Sequence, residues 1–216
     1  MRAFVVAALL VTGLASSPAF GSAAPVPPAT VKVFVAPVTA SGVAASGFTV
    51  KSEPDDVVTC SPAYPSPVSI SPNVEECSPS AAYAVACWKS ATAHQALCLL
   101  DPRKRQLTAA KLTGKFGATK AISKRELSPF VIVLTDGTYC SIRDGGAWGS
   151  LKSHPTYYGS YSCSKHGVVW SPSNAAHYGV DESAASWTVR TGNAGGGGSL
   201  TTRHVAKAYF VATASS

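Results

Sequence analysis

The chain has 216 residues, with 18 Lys plus Arg against 11 Asp plus Glu, 46% hydrophobic and only 13% charged residues, and six cysteines. That length supports a domain with a real core, and so few charges exclude a disordered chain or a coiled coil. The formal net charge of +7 turns attention to anionic partners.

The first element in chain order is an export signal. Met1 and Arg2 form a short basic start, Ala3 to Leu14 form an apolar run, and Ala15 to Ala23 form a tail of small residues. The run falls short of the roughly 20 residues of a spanning helix and matches the apolar core of a secretory leader. Cleavage after Ala23 leaves no cysteine at the junction, because the first cysteine is Cys60. The expected product is released to the exterior or the cell wall, without a transmembrane segment.

Residues 24–79 read as a proline-rich arm, partly docked or disordered. Ten of the 15 prolines fall between Pro25 and Pro79, and Val31 to Val35 has strand character. Proline confines such strands to an edge. All four tryptophans, Trp88, Trp148, Trp170 and Trp187, lie beyond this stretch, so residues 80–216 are expected to hold the main domain.

Short strand signals then recur at Ala81 to Trp88, Ala96 to Leu100, Phe130 to Leu134, Thr138 to Ile142, Tyr157 to Cys163, Val168 to Trp170 and Trp187 to Arg190. Gly, Pro, Asp, Ser or Asn bound each one, and Asp136-Gly137, Asp144-Gly145-Gly146 and Lys165-His166-Gly167 suit hairpin turns. The pattern predicts a mainly β fold, a small antiparallel sheet or barrel-like domain with disulfides. From Thr201 to Ala214 the positions Val205, Ala208, Tyr209 and Ala212 recur at helical intervals, so a C-terminal helix is expected.

Export makes Cys60, Cys77, Cys87, Cys98, Cys140 and Cys163 a disulfide set. Six cysteines allow 15 connectivities. The favoured one joins Cys140 to Cys163, two cysteines in strand-like stretches, and Cys87 to Cys98, which end short apolar strands, leaving Cys60 with Cys77. No metal is expected, since Cys87, His94 and Cys98 lack zinc-ligand spacing, and nothing in the chain calls for a cofactor.

Charge is concentrated. Residues 101–126 carry Arg103, Lys104, Arg105, Lys111, Lys115, Lys120, Lys124 and Arg125 against Asp101 and Glu126. An exported basic segment meets anionic envelope polymers and glycans before nucleic acid, and only Phe116 is available to stack on bases. A plainly solvated face is the competing reading. The second candidate surface is aromatic: Trp148, Tyr157, Tyr158, Tyr161 and Trp170 crowd together beside Arg143 and Asp144. Alternation puts Tyr157 and Tyr161 on one face and points Tyr158 outward. Exposed members would stack on sugar rings, whereas buried ones are simply core.

No nucleophile elbow or metalloprotease motif occurs, and His94, His154, His166, His177 and His204 are scattered among loops. No catalytic residue is therefore assigned. Asp136 and Asp144 flank the Cys140 strand, but both suit turns.

The blocks Ala86-Cys87-Trp88, Leu97-Cys98-Leu99-Leu100-Asp101-Pro102, Thr135 to Cys140, Arg143 to Gly149, Tyr161-Ser162-Cys163, Trp187 to Arg190 and Ala208-Tyr209-Phe210 resemble small exported proteins of mycobacteria and related actinobacteria. The resemblance spans roughly residues 77–213. That group has no assigned activity, so it implies export and a disulfide-bonded β domain and supplies no catalytic residue. The reading that results is a non-enzymatic envelope or extracellular binding protein. A secreted hydrolase of wall glycan or ester linkages and a structural wall component are the alternatives.

Overall fold

The computed structural model describes residues 26–52, 55–79, 84–143 and 151–214. The expected leader, the turn at Asp144-Gly145-Gly146 and Trp148 lie outside them. The described strands are β1 (Val31–Val35), β2 (Thr49–Lys51), β3 (Val57–Pro65), β4 (Glu75–Ser78), β5 (Cys87–Lys89), β6 (Gln95–Asp101), β7 (Gln106–Thr113), β8 (Val131–Leu134), β9 (Tyr139–Ile142), β10 (Tyr157–Cys163), β11 (Val168–Pro172), β12 (Thr188–Gly192) and β13 (Thr201–Val211). Among the described residues no helix is long and apolar enough to cross a membrane.

The strands form two small closed, barrel-like sheets. In the first, β8 to β13 pair in sequence order as antiparallel neighbours, and β13 returns to β8 to close the ring. Turn chemistry explains the order. The β8–β9 reversal uses Asp136, whose side chain accepts the Thr138 N–H at 2.9 Å, followed by Gly137 at φ +81°. The four-residue β10–β11 reversal puts His166 and Gly167 at φ 66° and 78°, left-handed values that glycine adopts without steric cost. At Gly167 a Cβ would sit 2.3 Å from the Gly192 carbonyl oxygen, so only glycine fits.

The second sheet closes through β7-β3-β4-β5-β6 and back to β7. The expected arm of residues 24–79 thus supplies, over its described part, four strands, and this sheet runs across residue 80. β1 lies parallel to β13 in the first sheet, while β2 and β3 both lie parallel to β7. Thr30 fastens the start of β1: its hydroxyl donates to the Val205 carbonyl at 2.6 Å and accepts the Trp187 N–H at 2.8 Å.

The expected C-terminal helix is corrected to a strand, β13, of 11 residues. Its register against β8 shifts between Val205 and Lys207. Such a bulge inserts one residue, so Val205 and Ala208 are both buried although three positions apart. That spacing imitates a helical period. Partners on both edges decide the conformation: β12 and then β1 on one side, β8 on the other.

Three disulfides join Cys60 to Cys77, Cys87 to Cys98 and Cys140 to Cys163. The last two link residues directly opposite on paired strands. Along β6 and β7, alternate side chains serve different clusters. Ala96, Cys98 and Ala110 pack with Val58, Cys60, Cys77, Ala84 and Cys87. Leu97, Leu99, Leu107 and Ala109 join the main core, with Trp88 and with Phe130, Ile132, Tyr161 and Phe210 of the first sheet and its approach. The main core therefore unites the two sheets.

Candidate functional site

The basic segment consists of the β6–β7 hairpin and an irregular run after β7. Arg103 is engaged within the protein: Nη2 meets Asp101 Oδ2 at 2.7 Å, Nε donates to Oδ1 at 3.1 Å, and the guanidinium lies 3.6 Å from the centre of the Tyr139 ring. Because Tyr139 belongs to β9, this stacked cation ties one closed sheet to the other. Arg105 lies over the Phe48 ring at 5.4 Å. Lys104, Arg105, Lys111, Lys115, Lys120, Lys124 and Arg125 are exposed. Among the described residues none of these seven takes part in a salt bridge.

The aromatic cluster divides. Tyr161 and Trp170 are fully buried, and Tyr161 donates its hydroxyl to the Pro129 carbonyl at 2.8 Å. Tyr158 is 38% exposed and Tyr157 half-buried. Tyr157 and Tyr161 do not share a face. The register shift between Gly159 and Tyr161 sends Tyr161 into the main core and leaves Tyr157 with Leu151, Val168, Trp170 and Leu200. Arg143 directly follows β9, where its backbone N–H donates to the Ser160 carbonyl at 3.0 Å.

Two histidine contacts bear on catalysis. His166 Nε2 lies 2.6 Å from Asp136 Oδ2, so one hairpin turn is fastened to the other. The Thr138 backbone N–H, assisted by His166, holds the Asp136 carboxyl well below the usual range. Ser186 Oγ lies 3.0 Å from His204 Nδ1, but among the described residues His204 has no carboxylate partner to orient it. A hydroxyl, imidazole and carboxylate in series, as acyl transfer requires, is not assembled by these contacts.

Glu75 escaped the reading of the sequence. It is fully buried on β4, and among the described residues neither carboxylate oxygen has a hydrogen-bond partner. Burial pushes its pKa up to about 7, and the nearby Gly117 backbone N–H offsets this only partly, since it does not reach hydrogen-bond geometry. Its carboxylate and the sulfurs of Cys60 and Cys77 lie within 4.8 Å of one another. Both sulfurs are spent in a disulfide, which leaves the carboxylate as the one ligand atom a metal would find there. No local signal marks Glu75, because Glu76 beside it is chemically identical. Period-two burial along β4, with Glu75 and Cys77 inward, is what separates them.

A cleft of about 490 Å³ opens over Trp88 and Phe116, with Thr39, Lys89, Gly117 and Thr213 around it. Trp88 Nε1 donates to Thr213 Oγ1 at 3.2 Å across it. No protein-family model matches the chain, and neither a curated protein sequence nor a solved structure matches it.

Proposed function

We propose that the protein is an exported, non-enzymatic binding protein of the cell envelope, and that anionic polymers dock on the exposed cations of the β6–β7 turn, β7 and the segment after it. The observation that carries this reading is the set of seven exposed cations between Lys104 and Arg125 without a salt-bridge partner among the described residues. Like charges held together without compensation create a field that attracts polyanions, at a cost to the folded state. Three disulfides suit an oxidising destination, in line with the export expected from the first 23 residues.

The test is retention of the mature protein on an immobilised glycerol-phosphate polymer at low and high salt. Retention is expected at low salt and release at high salt, because exposed charges are screened. The triple variant Lys115→Glu, Lys120→Glu, Lys124→Glu should bind at least ~10-fold more weakly, about 1.4 kcal/mol. Absence of retention at low salt, or a triple variant that binds as well as the parent, overturns the proposal.

A further inference from the structure

A different face of the first closed sheet holds a second set of groups. Two hollows, of about 420 and 520 Å³, flank Arg190 of β12 and its cross-strand partner Thr202 of β13, and both residues line both hollows. Tyr157, Trp170, Asp181 and Thr188 contribute to the first hollow, and Ser153, His154, Ser199 and Leu200 to the second. Volumes of this size fall within the ~300–1,000 Å³ of small-ligand sites.

The sheet itself positions these side chains. Val189 is buried, so alternation turns Thr188 and Arg190 to the opposite face of β12. Asp181 is fixed beside them by a pair of backbone hydrogen bonds with Thr188, at 2.9 and 3.1 Å. Arg190 Nη1 donates to Tyr157 Oη at 3.0 Å, and the Tyr157 ring rests 4.7 Å from the His154 ring. Arg190 makes no other hydrogen bond and no salt bridge among the described residues. It is thus oriented by a neutral phenol while its charge stays uncompensated at contact distance. Beneath the first hollow the Trp170 indole N–H is buried without an acceptor among the described residues.

An uncommitted guanidinium matches a carboxylate through two parallel hydrogen bonds. The ring faces of Tyr157 and His154 suit the apolar C–H face of a pyranose. The short hydroxyls of Thr188, Thr202, Ser153 and Ser199 suit its hydroxyl groups. Asp181 separates a sugar acid from a bare anion. Its charged form is stabilised by Ser183 and by the positive Arg190, so it is an acceptor for sugar hydroxyls, which acetate and phosphate do not offer in that arrangement.

We propose that the paired hollows around Arg190 bind an acidic sugar residue, its carboxylate on the guanidinium and its hydroxyls on Asp181 and the neighbouring Thr and Ser side chains. This extends the envelope-binding reading but rests on none of the lysines that carry it.

The experiment is a titration of the isotopically labelled mature protein with glucuronate, followed by amide and indole resonances, with glucose, acetate and inorganic phosphate in parallel. Glucuronate should move the resonances of Thr188, Arg190, Thr202 and the Trp170 indole, and bind at least ~10-fold more tightly than glucose or acetate. Arg190→Gln should abolish the response while retaining the dispersed spectrum of the folded protein, and Arg190→Lys should restore part of it. The Lys115, Lys120, Lys124 triple variant should titrate like the parent, so the two proposals fail separately. Equal binding of acetate or phosphate, retained binding in Arg190→Gln, or shifts confined to the lysine segment each overturn the inference.

Discussion

Glu75 is buried beside a disulfide with no hydrogen-bond partner for either oxygen among the described residues, and an unpaired carboxylate is far more costly there than a carboxylic acid. The folded protein therefore holds this proton more strongly than the unfolded chain does, with a pKa of about 7 against an ordinary value of 4.5. The resulting stability is fully present below about pH 4.5 and is lost as pH rises through about 7. The unfolding free energy from urea titrations should fall across that interval by about 3 kcal/mol. Glu75→Gln should flatten this part of the profile, and a variant that keeps the parent's slope would place the titration elsewhere. Gly117 limits the same corner sterically: a Cβ there would meet the Ala63 Cβ at 2.4 Å. Gly117→Ala should lower stability by about 1–3 kcal/mol in the same measurement.

At the scale of the element, β13 shows how partners override local pattern. Helical spacing in Thr201 to Ala214 comes from one bulge, and backbone partners on both edges hold the segment extended. Native-state hydrogen exchange should therefore find the Val205 and Val211 amides, which donate to Trp187 and Val68 carbonyls, among the slowest in the molecule. Thr30→Val removes a hydroxyl that both donates and accepts beside β1. It should cost about 1–3 kcal/mol by leaving partners unsatisfied, and Thr30→Ser should recover most of the loss. Strands β6 and β8 to β12 were legible because apolar alternation and Gly or Asp turns bound them. β7 was hidden: of its buried residues Leu107, Thr108, Ala109 and Ala110, Leu107 is the one large apolar side chain, a weak hydrophobic signal, and lysines dominate its surroundings.

Over the whole molecule, the two closed sheets share one main core but differ in what fills the rest. The second cluster of β3 to β7 consists of Val58, three alanines and two disulfides, so little apolar bulk remains when a bridge is removed. Each bridge contributes about 2–4 kcal/mol by restricting the unfolded chain. Replacing Cys60 and Cys77 together by alanine should expose the amides of β3 to β7 to exchange before those of β8 to β13. The same change at Cys140 and Cys163, surrounded by the large side chains of the main core, should cost protection more evenly. Uniform loss in both variants would show that the shared core leaves the sheets no independence.

By itself the sequence determined a mainly β, disulfide-bonded chain, because alternation, turn residues and an even cysteine set are local or compositional signals. Its basic segment and aromatic hairpins were equally plain as residues. Which of them is free to meet a ligand was decided only in three dimensions. Arg103 is consumed by Asp101 and Tyr139, Tyr161 and Trp170 by the core, while Arg190, an ordinary outward strand residue in the sequence, ends between two hollows. Glu75 and Glu76 differ for the same reason: availability and charge state depend on what the rest of the chain packs around a side chain, and contacts distant in sequence set that.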